Sequence, residues 1–281
     1  MKELFRRGII FSKGLIIFRE FLQVRVIYYT DELNDDFSPT NGKIRQKVID
    51  KNYTYLPGNP LWRIFSFILY RLIATPVAFL FNKIGFGVRI KNRKALKKIK
   101  TGYFLYGNHT QVAADAFNPT IITFPKKANI LVNPDAVSIP VVGKVISMLG
   151  GMPLPSTKEA AKIFLNAIKK KIEKGQVITI YPESHIWPYY NKIRPFTDAS
   201  FKYPFMFNAP AVGFTVTYRQ RKIFKKLPPL ITVTVSEPVY PKECGSKTEM
   251  RDRIYGFMVQ TVEKEKSCEY IKYIKKEKAY K

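Results

Sequence analysis

From residue 102 onward the chain alternates short apolar runs with polar, turn-rich stretches. The runs at 103–106 (YFLY), 129–132 (NILV), 176–181 (QVITIY), 211–217 (AVGFTVT) and 230–235 (LITVTV) have the length and composition of strands. Between the second and third lies a helical pattern. Ser156 and Glu159 have capping-box spacing, Ala161, Phe164, Leu165, Ile168 and Ile172 form one apolar stripe, and Gly175 ends it. A second Ser-to-Glu pair, Ser246 and Glu249, opens a C-terminal helix expected to reach about residue 265, and the Lys-rich tail beyond it reads as a solvated end. Strands separated by helices predict an α/β fold with a largely parallel or mixed central sheet covered by helices.

Upstream the pattern changes. Residues 61–81 (LWRIFSFILYRLIATPVAFLF) are apolar except for Arg63 and Arg71, and are long enough to span a bilayer. A spanning helix would put Arg71 near the membrane centre at a cost of roughly 2.5–3.5 kcal/mol. A helix lying in the interface, or a helix pair kinked at Pro76 and dipping into one leaflet, keeps both arginines near headgroups. Trp62 and Tyr70 suit that interface, and the competing reading is a buried core helix. Residues 31–60 are rich in turn formers and read as an irregular approach. The first 24 residues, basic with interrupted apolar runs and no cleavage site, read as an amphipathic or poorly ordered leader. The expected organisation is therefore an N-terminal segment at 1–60, an interfacial membrane-anchoring element at 61–87, a core at 88–243, and a C-terminal helix with basic tail at 244–281.

Composition sharpens the membrane reading. Hydrophobic residues make up 46% of the 281 positions, which excludes a disordered chain. The formal net charge of +27 predicts a polyanionic partner, either nucleic acid or an anionic membrane surface. Residues 89–100 (RIKNRKALKKIK) place seven Lys or Arg directly after the apolar helix, as lipid-binding clusters do. No RRM, KH or zinc-finger pattern is present, and nucleic-acid binding leaves the 61–81 helix unexplained. Cys244 and Cys268 suit a reducing compartment better than a disulfide scaffold, and the two His and two Cys have no metal-ligand spacing.

Two polar interruptions carry candidate chemistry. In FLYGNHTQVAADAF (104–117), His109 falls at the C-terminal end of a predicted strand, where α/β folds collect ligands and catalytic groups, with Asp115 six positions on. Taken alone the pair is more often a satisfied strand-to-helix junction. In ITIYPESHIWPYYNKIRPF (178–196) a strand runs into Pro182-Glu183-Ser184 and a long loop holding Lys192 and Arg194, which reads as a binding loop.

In their order and separation these stretches resemble the PlsC-type glycerolipid acyltransferases. That family carries Asn-His-x4-Asp, then a Gly-containing strand, then Phe-Pro-Glu-Gly-Thr-Arg, then an apolar strand containing proline. Here GNHTQVAAD, GGMPLP (150–155), YPESH (181–185) and APAVGFTV (209–216) correspond, and the resemblance covers about residues 88–240. It implies a membrane-associated O-acyltransferase at the cytoplasmic face of the cell membrane. Such an enzyme would move a fatty acyl group from an acyl-CoA or acyl-carrier-protein thioester to a lysophosphatidic-acid-like lysolipid, with no other cofactor. His109 would be the general base and Asp115 would hold its tautomer. Asn108 would brace the turn, and Glu183 and Ser184 would organise the acceptor or the loop. Backbone amides at 183–185 would serve as oxyanion or phosphate donors.

The departures are specific. Five residues rather than four separate His109 from Asp115, so the bend between strand and helix must absorb one. Ser184 and His185 replace Gly and Thr, the second motif ends in Leu154-Pro155, and neither motif keeps its arginine. Lys192 or Arg194 would then have to reach the acceptor phosphate, while His185 reads as a loop residue. The missing arginines leave room for another lysolipid or glycolipid acceptor, and a thioester hydrolase or an inert membrane module are further alternatives. The basic run 219–226 (RQRKIFKK) reads as a solvated or membrane-facing loop ahead of a donor-phosphate site. The sequence leaves oligomeric state open.

Overall fold

A computed structural model describes residues 26–38, 45–112, 114–138, 142–224 and 227–276; the N-terminal leader lies outside the described residues. In chain order the strands are β1 (Val26–Tyr29), β2 (Arg89–Lys91), β3 (Tyr103–Gly107), β4 (Ala128–Val132), β5 (Gly151–Pro153), β6 (Val177–Ile180), β7 (Ala211–Arg219), β8 (Leu230–Val235) and β9 (Lys272–Lys275). The main helices are α1 (Pro60–Gly85), α2 (Ala114–Thr123), α3 (Val142–Met148), α4 (Lys158–Glu173) and α5 (Lys247–Glu265).

Seven strands form one mixed sheet in the order β2-β8-β7-β3-β6-β4-β5. Strands β3 to β7 run parallel, while β8 turns back antiparallel to β7 and carries β2 with it. The central strand β3 is buried along its whole length, as its unbroken apolar sequence requires. One core cluster joins α4 and α5 to the sheet through Phe164, Ile168, Ile254 and Met258; a second packs Leu105, Ile122, Phe214 and Val233 on the other face.

The 61–81 pattern resolves into a helical run of 26 residues that is long and apolar enough to cross a membrane. Only Tyr70, Thr75, Ala78 and Asn82 are buried, so the core-helix reading does not hold. Leu61, Phe65, Leu72, Leu80 and Ile84 lie open to solvent. Around the expected kink the run has a π turn over Leu69–Ala74 directly before Pro76, where the looser winding accommodates a residue with no N–H to give. Arg71 turns inward: its guanidinium donates to the Pro125 carbonyl and lies over the Phe124 ring.

Three local expectations are corrected. The α4 cap is Thr157, which accepts from the Ala160 amide, because Ser156 is engaged by the Ile49 amide instead. The described residues of the 31–60 approach are irregular but contribute core side chains: Ile49 is buried, and the Tyr55 hydroxyl donates to the Pro153 carbonyl at 2.9 Å. The C-terminal tail is not wholly a solvated end, since its residues 272–275 pair in parallel with β1. This two-stranded ribbon is fastened by aromatic contacts. The Tyr273 ring stacks on Trp187 at 4.9 Å and its hydroxyl donates to the Pro188 carbonyl at 2.8 Å. The other α5 expectation stands, with Ser246 accepting from the Glu249 amide at 3.1 Å.

Tyr273→Ala should therefore destabilise the chain by about 3 kcal/mol, read by denaturant unfolding, because it removes a stacked ring and a bonded hydroxyl together.

Candidate active site

Strand β3 ends at Gly107, and the residue after it sets the path of the chain into the next turn. Asn108 is fully buried; its side-chain amide donates to the Val216 carbonyl at 3.1 Å and its oxygen accepts from the Val216 amide at 2.8 Å. Both polar ends are thus committed to β7, so Asn108 braces the turn and offers nothing to a substrate. A Cβ at Gly107 would meet the Phe214 ring at 2.1 Å, which excludes larger residues there.

His109 comes next with its ring partly open, at 25% side-chain exposure. Its Nδ1 lies 2.8 Å from Asp115 Oδ2. The same oxygen accepts from the Gln111 amide at 2.9 Å, while the Asp115 amide donates to the Gln111 carbonyl at 3.3 Å. Asp115 itself lies in the first turn of α2, where the helix dipole favours a carboxylate. Burial raises the Asp115 carboxyl above its ordinary value, and the His109 contacts pull it back down. A carboxylate on Nδ1 makes that nitrogen the donor, leaving the Nε2 lone pair without a partner among the described residues.

Glu183 holds this assembly from the far side of the sheet's end. It is buried; one carboxylate oxygen accepts from the His109 amide at 3.2 Å and the other from the Arg194 amide at 3.2 Å. Arg194 is fully buried beside it, its Nη2 reaching Glu183 at 3.4 Å, the Glu183 carbonyl at 3.2 Å and the His185 carbonyl, while Nη1 reaches the Glu32 carbonyl. The guanidinium also lies over Trp187, 5.0 Å from the ring centre. Burial raises the Glu183 carboxyl and Arg194 lowers it. Arg194 is therefore a brace for Glu183, not the phosphate-gripping residue expected of it. Lys192 lies exposed on the same loop.

Ser184 is exposed and has φ +64, the left-handed conformation that glycine takes most easily, at the place where the family motif has glycine. The expected oxyanion donors at 183–185 are partly spent: Ser184 N–H donates to the Tyr181 carbonyl and His185 N–H to the Glu183 carbonyl. His185 is half-buried 3.9 Å from Asp36, in keeping with a loop role.

Several residues of the site carry no motif signal. Tyr181 stacks on His109 at 4.6 Å and its hydroxyl donates to the Asp115 carbonyl at 2.6 Å, so one side chain holds both members of the pair. The only hint was a tyrosine standing where the third motif has phenylalanine. Tyr218 donates to Thr110 Oγ1 at 2.7 Å and accepts from the Gln111 side-chain Nε2 at 2.8 Å. Trp187 and Tyr189 donate from their backbones to the carbonyls of His109 and Thr110. A cavity of about 480 Å³ lined by Tyr53, Trp62, Lys144 and Lys171 shares none of these residues, and burial there lowers the Lys171 ammonium to about 8.

No family model and no curated protein sequence matches the chain. Among solved structures, it matches the crystal structure of the 1-acyl-sn-glycerophosphate (LPA) acyltransferase PlsC from Thermotoga maritima with a TM-score of 0.54. Identity is 17%, and the match covers 75% of this chain and 97% of that one. The chain thus shares its fold with that structure.

Glu183→Gln should destabilise the chain by about 3–5 kcal/mol in denaturant unfolding, because it leaves Arg194 buried without its counter-charge. Glu183→Leu combined with Arg194→Met should not recover that loss, because it leaves the His109 and Arg194 amides without their acceptor and the Glu32, Glu183 and His185 carbonyls without their donor. Ser184→Gly should be neutral or stabilising in the same assay and Ser184→Val destabilising by about 1 kcal/mol or more, since only the latter adds a β-branch at positive φ.

Proposed function

We propose that the protein is a membrane-associated O-acyltransferase that moves a fatty acyl group from an acyl thioester to the hydroxyl of a lysophosphatidic-acid-like acceptor. The observation that carries this is the His109–Asp115 pair, joined at 2.8 Å at the end of a buried parallel strand, with Nε2 lacking a partner among the described residues and the side chain 25% exposed. In this reading Nε2 takes the proton of the acceptor hydroxyl as its oxygen attacks the thioester carbonyl. Asp115 stabilises the imidazolium that forms, and the proton then passes to the departing thiolate. The PlsC fold and the four motifs in order support the reaction class, and the apolar α1 supports residence at a membrane, with the basic 89–100 segment beside it favouring an anionic, cytoplasmic face. The thioester is a substrate, carried by CoA or a carrier protein.

A different lysolipid acceptor is favoured by one observation. Arg194 is enclosed by Glu183 and backbone carbonyls, and the second motif ends in Leu154-Pro155, so neither supplies a guanidinium for a phosphomonoester. Lys192 is the remaining loop cation.

Acyl transfer to a panel of lysolipids tests both. Wild type should acylate at least one acceptor, and His109→Ala and Asp115→Ala should each lose about a hundredfold or more in kcat while still sedimenting with vesicles. Full activity in His109→Ala refutes the base. Lys192→Ala should raise KM for lysophosphatidic acid selectively; equal effects on all acceptors would assign that lysine no acceptor role.

A further inference from the structure

The β7–β8 turn has an apolar tip that the catalytic reading does not use. Ile223 and Phe224 are 73% and 72% exposed and Leu227 is 51% exposed. Phe224 also has φ +57, a conformation that is rare and costly for a bulky side chain. An aromatic ring held both in water and in the left-handed region is disfavoured twice in solution. Strain of that kind persists where the surrounding structure holds it in place, and it clusters at functional sites.

The tip is fastened to the end of α1. Arg221 donates through Nε to the Pro228 carbonyl at 2.6 Å and through Nη2 to the Gly85 carbonyl at 2.9 Å. Arg219 reaches the Gly87 carbonyl at 3.1 Å. Two arginines of the basic run are thereby committed to holding the turn against the helix terminus. Ile84, in the last turn of α1, is itself 73% exposed, with Lys83 and Lys222 exposed nearby in sequence. The apolar side of α1 and the turn are thus tied end to end.

The end of the molecule at which this happens is fixed by the sheet. Strand β7 is parallel to β3, and Asn108 is bonded to Val216, level with the start of the His109 turn. The chain then continues beyond Val216 to the tip, so Ile223 and Phe224 lie at the same end of the sheet as His109.

We propose that Ile223, Phe224 and Leu227, at the β7–β8 turn, form a second membrane-inserting element, which enters an anionic bilayer together with the C-terminal end of α1 and so holds the His109 end against the lipid surface. This rests on the membrane association proposed above. Continuity with α1 names the bilayer as the occupant, and Lys83 and Lys222 match an anionic headgroup layer.

The test uses the full chain with Cys244→Ser, Cys268→Ser and Phe224→Cys, labelled with an environment-sensitive fluorophore. It is mixed with phosphatidylcholine vesicles containing phosphatidylglycerol, with sedimentation measured on the same samples. The expected result is co-sedimentation with a blue-shifted emission that persists in high salt and is quenched by lipids spin-labelled on the acyl chain. In the unlabelled protein, Phe224→Ser should weaken vesicle binding about tenfold. Co-sedimentation with unchanged emission overturns the second anchor while leaving α1 as the membrane element. Failure of the wild type to sediment overturns the membrane reading itself, and this inference with it. A blue shift that requires an acyl carrier protein instead of vesicles overturns the inference in favour of donor docking.

Discussion

The arrangement at the end of the sheet depends on a buried carboxylate, Glu183. Its two oxygens accept the backbone amides of His109 and Arg194, which belong to two loops that leave different strands. Burying a charge there is costly unless it is neutralised and hydrogen-bonded, and Arg194 supplies both without offering a free face to solvent. The consequence is geometric: the His109 backbone is pinned on one side by Glu183 and on the other by Asn108 through Val216. The imidazole can then be aimed by Asp115 and Tyr181 alone. Two oppositely charged side chains that look like substrate ligands in the sequence are, in the fold, the frame that makes the histidine usable.

That division of labour explains how the chain departs from the motifs it resembles. His109 meets Asp115 across a bend whose ends are joined twice: the Gln111 amide donates to the Asp115 carboxylate and the Asp115 amide to the Gln111 carbonyl. Ser184 takes the left-handed conformation required at the tight turn, a tolerable cost for a small exposed residue. The lost arginines are a change of another kind. Arg194 faces inward and is enclosed by Glu183 and backbone carbonyls, so its guanidinium is not open to a bound molecule.

Strands β3, β4, β6, β7 and β8 and the two long core helices were legible because each signal is local: unbroken apolar runs for β3 and β6, a stripe for α4, and Ser246 before α5. Long-range pairing was not. Nothing in Lys272–Lys275 marks it as a partner for Val26–Tyr29, because the reason lies in Trp187, more than eighty residues away, on which Tyr273 stacks. The Ser156 cap failed for a similar reason, since the Ile49 amide competes for the hydroxyl and sequence spacing carries no trace of it. In the site, His109 and Asp115 were visible by residue type and place. Tyr181 and Tyr218 were hidden because a tyrosine in an apolar run reads as packing, and only the fold shows where its hydroxyl goes.

In the proposed function the exposed side of α1 and the chemistry meet in one requirement: an amphiphilic acceptor would reach His109 from a lipid phase while the thioester would arrive from water. Direct transfer between the two, with the protein never acylated, is the central claim. A single-turnover reaction with radiolabelled acyl thioester and lysolipid, separating acyl-lipid from acyl-protein over time, measures it. The account predicts label appearing in lipid with none on the protein, and neither product above background for His109→Gln. Label accumulating on the protein before it reaches lipid, or an undiminished rate in His109→Gln, would contradict it.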